Sequence, residues 1–392
     1  MSSDRSPLDA VNVIRKQANG QVVLVLQGGG ALGAYQGGVY EALHEAKVEP
    51  DWVIGTSIGA INASIIAGNV VERRLAHLKD FWRRVERDAL WNRLPAWTAV
   101  ADSLSAWATV TSGIPGFFET NSLAFLGAHV PLGTDSAGYY STAPLRKTLT
   151  ELVNFDLIKR NTPRLMVGAA NVRTSMMRYF DSRDAEIKVE HIMASGALPP
   201  AFPAVRVDGE LYWDGGILSN TPTEAIFDDN PRRNSLIFAV HVWNATGPEP
   251  STIWEVLHRQ KDIQYSSRIA NHIARQREAH RLRHVISELA KHVPDEIRKS
   301  DLVHELAAYG CPTRMHVVRL LAPRLDHESH LKDIDFSSSG IRQRWQTGYA
   351  DTCRALARAA WIGEFGPLDA VVLHEPDTEP NELTIERLAA AE

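Results

Sequence analysis

Two glycine-framed segments carry residue types that suit attack on an ester. The first, Gly28-Gly29-Gly30-Ala31-Leu32-Gly33, follows the apolar run Val22 to Leu26, and the second, Gly55-Thr56-Ser57-Ile58-Gly59, follows Trp52 to Ile54. Each lies where a short strand should end and a helix should begin. Backbone N–H groups of the first segment can bind a negative charge, and the second can hold the Ser57 hydroxyl on a sharp turn. Acyl transfer needs at least a nucleophile, such as an exposed serine, and a neighbouring site that binds the negative charge of the intermediate.

A third glycine-rich segment, Asp214-Gly215-Gly216, supplies a carboxylate after a candidate strand over 209–213. Taken alone, this segment would be interpreted as an Asp-Gly hairpin turn. The preceding segment, Ala194 to Pro203, contains three prolines and an aromatic residue, so it predicts a stiff, partly buried loop that shapes a site. Together the three segments predict a serine ester hydrolase in which Asp214 accepts the proton of Ser57.

This chemistry places two demands on the surroundings of Ser57. A free aspartate is a weak base for a serine, so burial must raise the pKa of Asp214, and Trp213 and Phe202 are the candidates for the apolar wall. The negative charge that develops on the ester oxygen needs fixed donors. The predicted oxyanion hole consists of backbone around Gly28, Gly29, Gly30 and Ile58.

The elements that position these segments predict an α/β fold with a mostly parallel sheet. Val22 to Leu26 is a short, unalternating apolar run, typical of a strand buried on both faces. Residues 34–46 then change to helical spacing. The order is repeated by a strand at Trp52 to Ile54, a turn, and an apolar helix from Ile58 to Ala67. Further candidate strands lie at 164–169, 235–242 and 315–320.

The glycine loop and the serine each have an alternative interpretation. The spacing of Gly28, Gly30 and Gly33 also fits the G-x-G-x-x-G pattern of a dinucleotide site. That fold needs an acidic residue at the end of its second strand, whereas Asp51 stands at the start of this one. A bare turn for close helix–strand packing is a further alternative for the loop, and a helix N-cap is one for Ser57.

Composition excludes several classes of protein. The 392 residues are 44% hydrophobic and 23% charged, which is ordinary for a soluble globular chain, and a net charge of -5 gives no case for nucleic-acid binding. Two cysteines, Cys311 and Cys353, favour a reducing compartment over a disulfide scaffold. The polar N-terminus does not resemble a secretory signal, and no window reaches the roughly 18–20 apolar residues of a membrane span. We expect a cytoplasmic protein, at most peripheral at a membrane, with no cofactor or metal.

The motifs together resemble the patatin-like phospholipase family. Its marks are a glycine-rich oxyanion loop after the first strand, a G-x-S-x-G elbow and an aspartate in a D-G-G or D-G-A turn. They stand here, in that order, at Gly28–Gly33, Gly55–Gly59 and Asp214–Gly216. The segment 194–203 and Asn220-Thr221-Pro222 add to the likeness, which spans about 22–242. Ordered motifs are far more specific than any one of them.

The resemblance implies a three-layer α/β/α fold with a mostly parallel central sheet, a Ser57–Asp214 dyad without histidine, and hydrolysis of fatty-acyl esters of lipids. The glycines that would support the motifs are Gly33, Gly55, Gly59, Gly215 and Gly216. The family commonly has Arg or Lys where this chain has Leu32, and this departure favours uncharged esters over phospholipids.

The resemblance also divides the chain into three parts. These are an N-terminal segment (1–20), a patatin-like catalytic domain (21–245) and a helical, basic C-terminal extension (246–392). The extension is predicted to have one strand at 315–320 and to pack on the catalytic domain, and no activity is assigned to it.

Several alternatives stay open. A Ser–His–Asp triad could use His191, which is otherwise a hydrogen-bonded or exposed structural histidine. The aromatic-rich segment 88–140 is either ordinary core or an acyl pocket or mobile lid. The His- and Arg-rich helices over 253–293 are expected to form a solvated or subunit-contacting face, suited to a homo-oligomer, rather than a metal site. A short-chain polyester or hydroxyalkanoate esterase and a catalytically silent lipid-binding protein are the alternative functions.

Overall fold

A mixed β-sheet of nine strands forms the centre of the computed structural model, which describes residues 6–17, 20–87, 113–324, 332–366 and 368–375. Two further short strands pair with each other. The strands in chain order are β1 (Gln21–Leu26), β2 (Trp52–Thr56), β3 (Glu119–Thr120), β4 (Tyr140–Ser141), β5 (Arg164–Asn171), β6 (Met177–Asp181), β7 (Val205–Val207), β8 (Glu210–Asp214), β9 (Ser235–His241), β10 (Met315–Leu321) and β11 (Val371–His374).

Helices pack around this sheet and connect its strands. In chain order they are α1 (Pro7–Arg15), α2 (Ala34–Glu45), α3 (Ile58–Ala67), α4 (Val71–Val85), α5 (Ala143–Leu152), α6 (Phe155–Ile158), α7 (Val189–Ser195), α8 (Glu224–Phe227), α9 (Ile253–His292), α10 (Asp295–Arg298), α11 (Asp301–Ala307) and α12 (Ser338–Arg358). Short 3₁₀ turns occupy Gly30–Gly33, Ser122–Leu126, Gly215–Ile217 and Ala360–Ile362. None of the helices in the described part of the chain is long and apolar enough to cross a membrane.

The sheet order is β11-β10-β9-β1-β2-β5-β8-β7, and β6 also pairs with β5. The first six strands of this order are mutually parallel, and β6, β7 and β8 pair antiparallel with their neighbours. The predicted mostly parallel sheet is therefore confirmed. The five strands predicted from apolar runs form β1, β2, β5, β9 and β10.

Both faces of the sheet are covered, which makes the fold a three-layer one. Along β1, Leu24 and Leu26 belong to one hydrophobic cluster and Val23 and Val25 to another, because successive side chains of a strand point to opposite faces. Helices α1, α2, α3, α4 and α12 contribute to the first cluster. Helix α8 contributes to the second through Phe227, whose ring lies 6.2 Å from that of His280 on α9.

The pairing of β5 brings the last residues of two strands, β2 and β8, next to each other. One edge of β5 pairs with β2 over residues 164–168 and with β8 over 169–171, while β6 occupies the other edge. Strand β2 ends at Thr56, opposite Gly168, and the antiparallel β8 ends at Asp214, opposite Ala169. The residues that follow Thr56 and those around Asp214 are therefore neighbours, although more than 150 positions separate them.

Strands from the C-terminal part of the chain extend the same sheet. The predicted strand at 315–320 is observed as β10, which pairs with β9. A second strand of this part, β11, was not predicted. Helix α12 packs closely on α2, since a Cβ placed on Gly38 would lie 1.8 Å from the carbonyl oxygen of Trp345. The division at 20 and 245 into separate parts stays a prediction.

Candidate active site

Ser57 stands on a strained turn between β2 and α3. Its backbone has φ 57° and ψ -125°, a conformation that L-residues rarely adopt and that is concentrated at functional sites. Both flanking glycines are needed for close approach: a Cβ on Gly55 would lie 2.3 Å from the carbonyl oxygen of Gly59, and one on Gly59 would lie 2.2 Å from that of Leu26. The G-x-S-x-G pattern therefore places helix α3 tightly on the ends of β1 and β2.

A hydrogen-bond chain that the sequence did not predict holds this turn in place. The backbone N–H of Ser57 donates to Oγ of Ser195 at 3.0 Å, and that hydroxyl donates to the carbonyl oxygen of Gly168 at 2.6 Å. Ser195 is completely buried at the end of α7. It lies in the segment 194–203 that was predicted to shape a site, but its own role has no sequence signature.

Asp214 is buried at the end of β8, beside Ser57. The residue is 2% exposed, and its Oδ1 accepts a hydrogen bond of 2.7 Å from the N–H of Gly216. Burial raises the pKa of Asp214 to about 6, although hydrogen bonding with the Ser57 side chain and with the Gly216 N–H opposes the shift. The raised pKa that a base for serine requires is therefore present.

The glycine loop after β1 is held by its carbonyl groups. The carbonyl oxygen of Gly28 accepts hydrogen bonds from Nδ2 of Asn220 at 3.1 Å and from Nε1 of Trp243 at 2.8 Å. Among the described residues, the N–H groups of Gly29 and Gly30 have no acceptor. The N–H of Gly28 donates to the carbonyl oxygen of Asn220 at 3.1 Å, so this predicted oxyanion donor is already paired. The N–H groups of Gly29 and Gly30 can bind an anionic oxygen.

Asn220 and Trp243 were not assigned functions from the sequence. Asn220 was noted only as part of a family motif, and nothing local marks Trp243, which lies two residues beyond β9. Their donors reach Gly28 from 192 and 215 positions away. A close approach of Asn220 Oδ1, which would lie 2.4 Å from a Cβ on Gly28, explains why that position is glycine.

Ser57, Asp214 and the glycine loop face one cavity of about 170 Å³. Its described lining is largely aromatic and apolar, and includes Phe117, Phe118, Tyr140, Leu198, Phe202, Trp243, Tyr265, Ile334 and Phe336. The prediction that Phe202 forms part of the apolar wall is confirmed. The same prediction for Trp213 was wrong, because Trp213 is not among the described lining residues and its neighbour Asp214 takes the inward position on the strand.

The aromatic segment 88–140 contributes to this cavity where the structure describes it. Phe117, Phe118 and Tyr140 line the cavity, and Phe118 is at the same time part of the hydrophobic core. The core interpretation and the pocket interpretation therefore both apply to these residues. Trp91, Trp97 and Trp107, which belonged to the same prediction, lie outside the described residues.

The part of the chain after residue 245 also supplies cavity wall. Tyr265 lies on α9, and Asp333, Ile334 and Phe336 precede α12. The carbonyl oxygen of Asp333 accepts a hydrogen bond of 2.8 Å from the N–H of Ala31, which ties this region to the glycine loop. Burial, with the nearby carboxylates of Asp214 and Asp333, raises the pKa of Tyr265 to about 12, so its hydroxyl stays protonated.

His191 is not among the described residues that line the Ser57 cavity. Its Nδ1 accepts a hydrogen bond of 2.8 Å from the N–H of Lys188, and its ring packs on Phe180 with centroids 4.5 Å apart. No histidine is among the described residues that line the Ser57 cavity. In the described ranges, no three or more His, Cys, Asp or Glu side chains are grouped so that they could hold a metal ion.

Comparison with known proteins shows the family to which this chain belongs. A protein-family model described as Patatin-like phospholipase matches residues 24–227, and a second, described as Patatin phospholipase, matches residues 263–368. The first match covers more than half of the chain and contains the elbow, the glycine loop and Asp214. The chain belongs to the patatin-like phospholipase family.

Individual relatives are more distant. A patatin-like phospholipase domain-containing protein of Caenorhabditis elegans is 46% identical over 59 residues, which are 15% of this chain and 5% of that protein. The crystal structure of VipD from Legionella pneumophila superposes with a TM-score of 0.39 at 15% sequence identity, and covers 95% of this chain and 74% of VipD.

The burial of Asp214 predicts a pH-dependent stability. Its pKa is 3.8 when unperturbed and about 6 in the folded chain, so between these values the folded state keeps a proton that the unfolded state has lost. Folding stability should therefore fall as pH rises through this window, by on the order of 3 kcal/mol. Urea unfolding at pH 4 and pH 8 checks this: relative to the wild type, Asp214→Asn should gain stability at pH 8. An equal difference at the two pH values would contradict it.

Proposed function

We propose that this chain is a serine acyl-ester hydrolase of the patatin type, acting on fatty-acyl esters through Ser57 and Asp214. The observation that carries the proposal is the strained Ser57 turn beside a buried, basic Asp214 in an apolar cavity. A bare N-cap would explain Ser57 and an Asp-Gly turn would explain Asp214. Neither explains why both residues face the same cavity as the N–H groups of Gly29 and Gly30.

The proposed reaction has two halves. In the first, Ser57 Oγ attacks the ester carbonyl carbon while Asp214 takes the hydroxyl proton, and the resulting oxyanion accepts hydrogen bonds from N–H groups of Gly29, Gly30 and Ile58. Collapse breaks the ester C–O bond, and the alcohol leaves with the proton held by Asp214. In the second half, water gives a proton to Asp214 and attacks the acyl carbon. The bond between this carbon and Ser57 Oγ then breaks, Asp214 returns the proton to Ser57 Oγ, and the fatty acid leaves.

The positive end of helix α3 adds to the stabilisation of the oxyanion. Ile58 is the first residue of α3, so its N–H is one of the unpaired donors at a helix start. The helix dipole favours negative charge at this end. The proposed donors thus come from two separate elements, the glycine loop and the helix.

The charges around the cavity favour uncharged acyl esters as substrates. The charged residues among its described lining are Asp214 and Asp333, both carboxylates. Leu32, at the position where the family commonly has a basic residue, is 3% exposed and lies in the hydrophobic core. The Asp333 carboxylate is paired with Lys261, so the ionised Asp214 supplies the repulsion of a phosphate group near this lining. A short-chain ester is the second candidate substrate, which the cavity volume of about 170 Å³ favours.

Hydrolysis of p-nitrophenyl esters of graded chain length tests the proposal. We expect activity in the wild type, with the optimal length separating a long-chain lipid hydrolase from a short-chain polyester-type esterase. Monoacylglycerol and a phospholipid with the same acyl chain, presented in the same mixed micelles, then compare neutral and anionic headgroups. Absence of hydrolysis with every ester would instead support a silent lipid-binding protein.

The pKa of Asp214 sets the expected pH profile. Only the ionised carboxylate accepts the proton of Ser57, and its pKa in the folded chain is about 6. kcat/KM should therefore rise about tenfold per pH unit below pH 6 and level off above it. Initial rates from pH 4.5 to 8.5 on a neutral ester measure this. A profile that is flat across pH 6 would show that another group is the base.

A further inference from the structure

A second, larger cavity of about 490 Å³ lies between the sheet and helix α9. Its sheet side includes His241 at the end of β9, Arg319 near the end of β10, and Val371 and Leu373 on β11. The lining therefore extends along the sheet, from the start of β11 to the end of β9. The volume falls within the range of small-molecule sites.

Buried polar groups in this cavity have no partner. His241 is 1% exposed, and neither its Nδ1 nor its Nε2 has a hydrogen-bond partner. The Nε–H of the neighbouring Arg319 is also unpartnered. Buried polar groups are almost always satisfied by protein, water or a ligand, because leaving them unpaired costs stability. A polar group in the cavity would satisfy these atoms of His241 and Arg319.

The charged lining of this cavity is balanced, with three arginines and the carboxylates of Glu278, Asp369 and Glu375, but its unpartnered polar atoms belong to Arg319 and His241. Burial and the positive charge of Arg319 lower the pKa of His241 to about 3, so the imidazole is neutral and offers one N–H donor. Arg319 contacts Glu375 through Nη1 at 3.2 and 3.3 Å, which leaves its Nε–H available. Arg277 and Arg281, exposed on α9, line the same cavity.

One part of the wall is apolar, while Ser266, Glu278 and Asp369 are polar lining residues. Val317, Leu368, Val371 and Leu373 line the cavity, together with the indole of Trp243. Trp243 also lines the Ser57 cavity, where its Nε1 donates to the carbonyl oxygen of Gly28. An occupant of the second cavity would therefore touch a residue that holds the glycine loop.

We propose that the cavity between the sheet and α9 binds an anionic amphiphile, with its head oxygens at Arg319 and His241 and its alkyl chain on Val317, Val371 and Leu373. Two sources share this chemistry: a free fatty carboxylate, such as ester hydrolysis releases, and an alkyl phosphate headgroup. Binding in this cavity needs neither the hydroxyl of Ser57 nor any turnover. The proposal can therefore be tested independently of the proposed hydrolase activity.

Isothermal titration calorimetry on the full chain tests the proposal, in a Ser57→Ala background that prevents acyl transfer. The probes are dodecanoate, dodecyl phosphate and the uncharged dodecanol, all below the concentration at which they form micelles. We expect saturable binding of at least one anion, and at least tenfold weaker binding of dodecanol. The anion that binds more tightly identifies the headgroup.

Variants decide where the anion binds. Arg319→Met and His241→Phe should each weaken binding at least tenfold, while Arg275→Met, an exposed arginine of α9 outside the cavity lining, should leave it unchanged. Phe202→Ala, in the Ser57 cavity, should also leave it unchanged. If thermal unfolding shows that a buried-site variant does not fold, the exposed double variant Arg277→Gln/Arg281→Gln replaces it, and weaker binding is again expected.

Three results would overturn the proposal. No saturable binding of either anion would mean that water alone satisfies His241 and Arg319. Equal affinity for dodecanol would show that the cavity does not recognise charge. Binding that is lost in Phe202→Ala and retained in Arg319→Met would place the amphiphile in the Ser57 cavity instead.

Discussion

Replacement of Ser57 by alanine should reduce ester hydrolysis to the uncatalysed background, and Asp214→Asn should lower kcat by about 10²- to 10⁴-fold. Alanine removes the only atom proposed to attack the ester. Asparagine keeps the shape of Asp214 and can still accept from the Gly216 N–H, but it cannot take a proton. Stopped-time hydrolysis of the best p-nitrophenyl ester, with enzyme concentration raised for the weak variants, measures both effects.

Matched controls separate chemistry from structure. Ser64→Ala removes another buried serine of α3, whose hydroxyl donates to the carbonyl oxygen of Ile61 and does not line the cavity. Asp333→Asn neutralises the other cavity carboxylate, which is bound to Lys261 at 2.8 and 2.9 Å. Both should retain most of the wild-type kcat. If Asp333→Asn were as damaging as Asp214→Asn, the assignment of the base would be wrong.

Gly30→Ala is expected to lower kcat/KM by at least about 10²-fold, the loss typical of removing one oxyanion donor. Gly30 has a φ of +56°, and a Cβ on it would lie 2.2 Å from the carbonyl oxygen of Asp333. That oxygen also accepts from the N–H of Ala31, so it cannot move without breaking a bond of the loop. The loop must shift instead, which displaces the N–H groups of Gly29 and Gly30 from the oxyanion.

Gly133→Ala is the control for backbone strain. Gly133 has a φ of +84°, and a Cβ added to it would have no atom within 4 Å, so alanine there adds strain without a clash. It should lose some thermal stability and keep its kcat/KM. Circular dichroism and steady-state kinetics of the two variants, side by side, make the comparison. Wild-type turnover in Gly30→Ala would remove the glycine loop from the proposed mechanism.

The proposed preference for neutral acyl esters rests in part on a region for which no activity was predicted. Tyr265, Asp333 and Phe336 form part of the cavity wall, and the second family model covers this region. The extension after residue 245 therefore belongs to the environment of Ser57. Its aromatic and carboxylate groups are among the features that favour neutral acyl esters.

Much of the fold could be predicted because its signals are local. Unalternating apolar runs marked β1, β2, β5, β9 and β10, since strands buried on both faces need apolar side chains at every position. The ends of α3 were predicted to the residue, from Ile58 to Ala67. Strand β11 was not predicted, because a short apolar run is ambiguous by itself and no glycine motif follows it, as one follows the equally short run that marked β2.

The sequence by itself determined the Ser57 turn and the glycine loop, because glycine spacing directly reflects backbone conformation and close approach. Only the tertiary structure decided what surrounds them. The shared edge of β5 brings Asp214 to Ser57, Ser195 supports the turn, and Trp243 holds the loop. These contacts join residues more than 130 positions apart, and a pairing at that separation depends on how the strands are ordered in the sheet. No local pattern of residues indicates the order of the strands in the sheet.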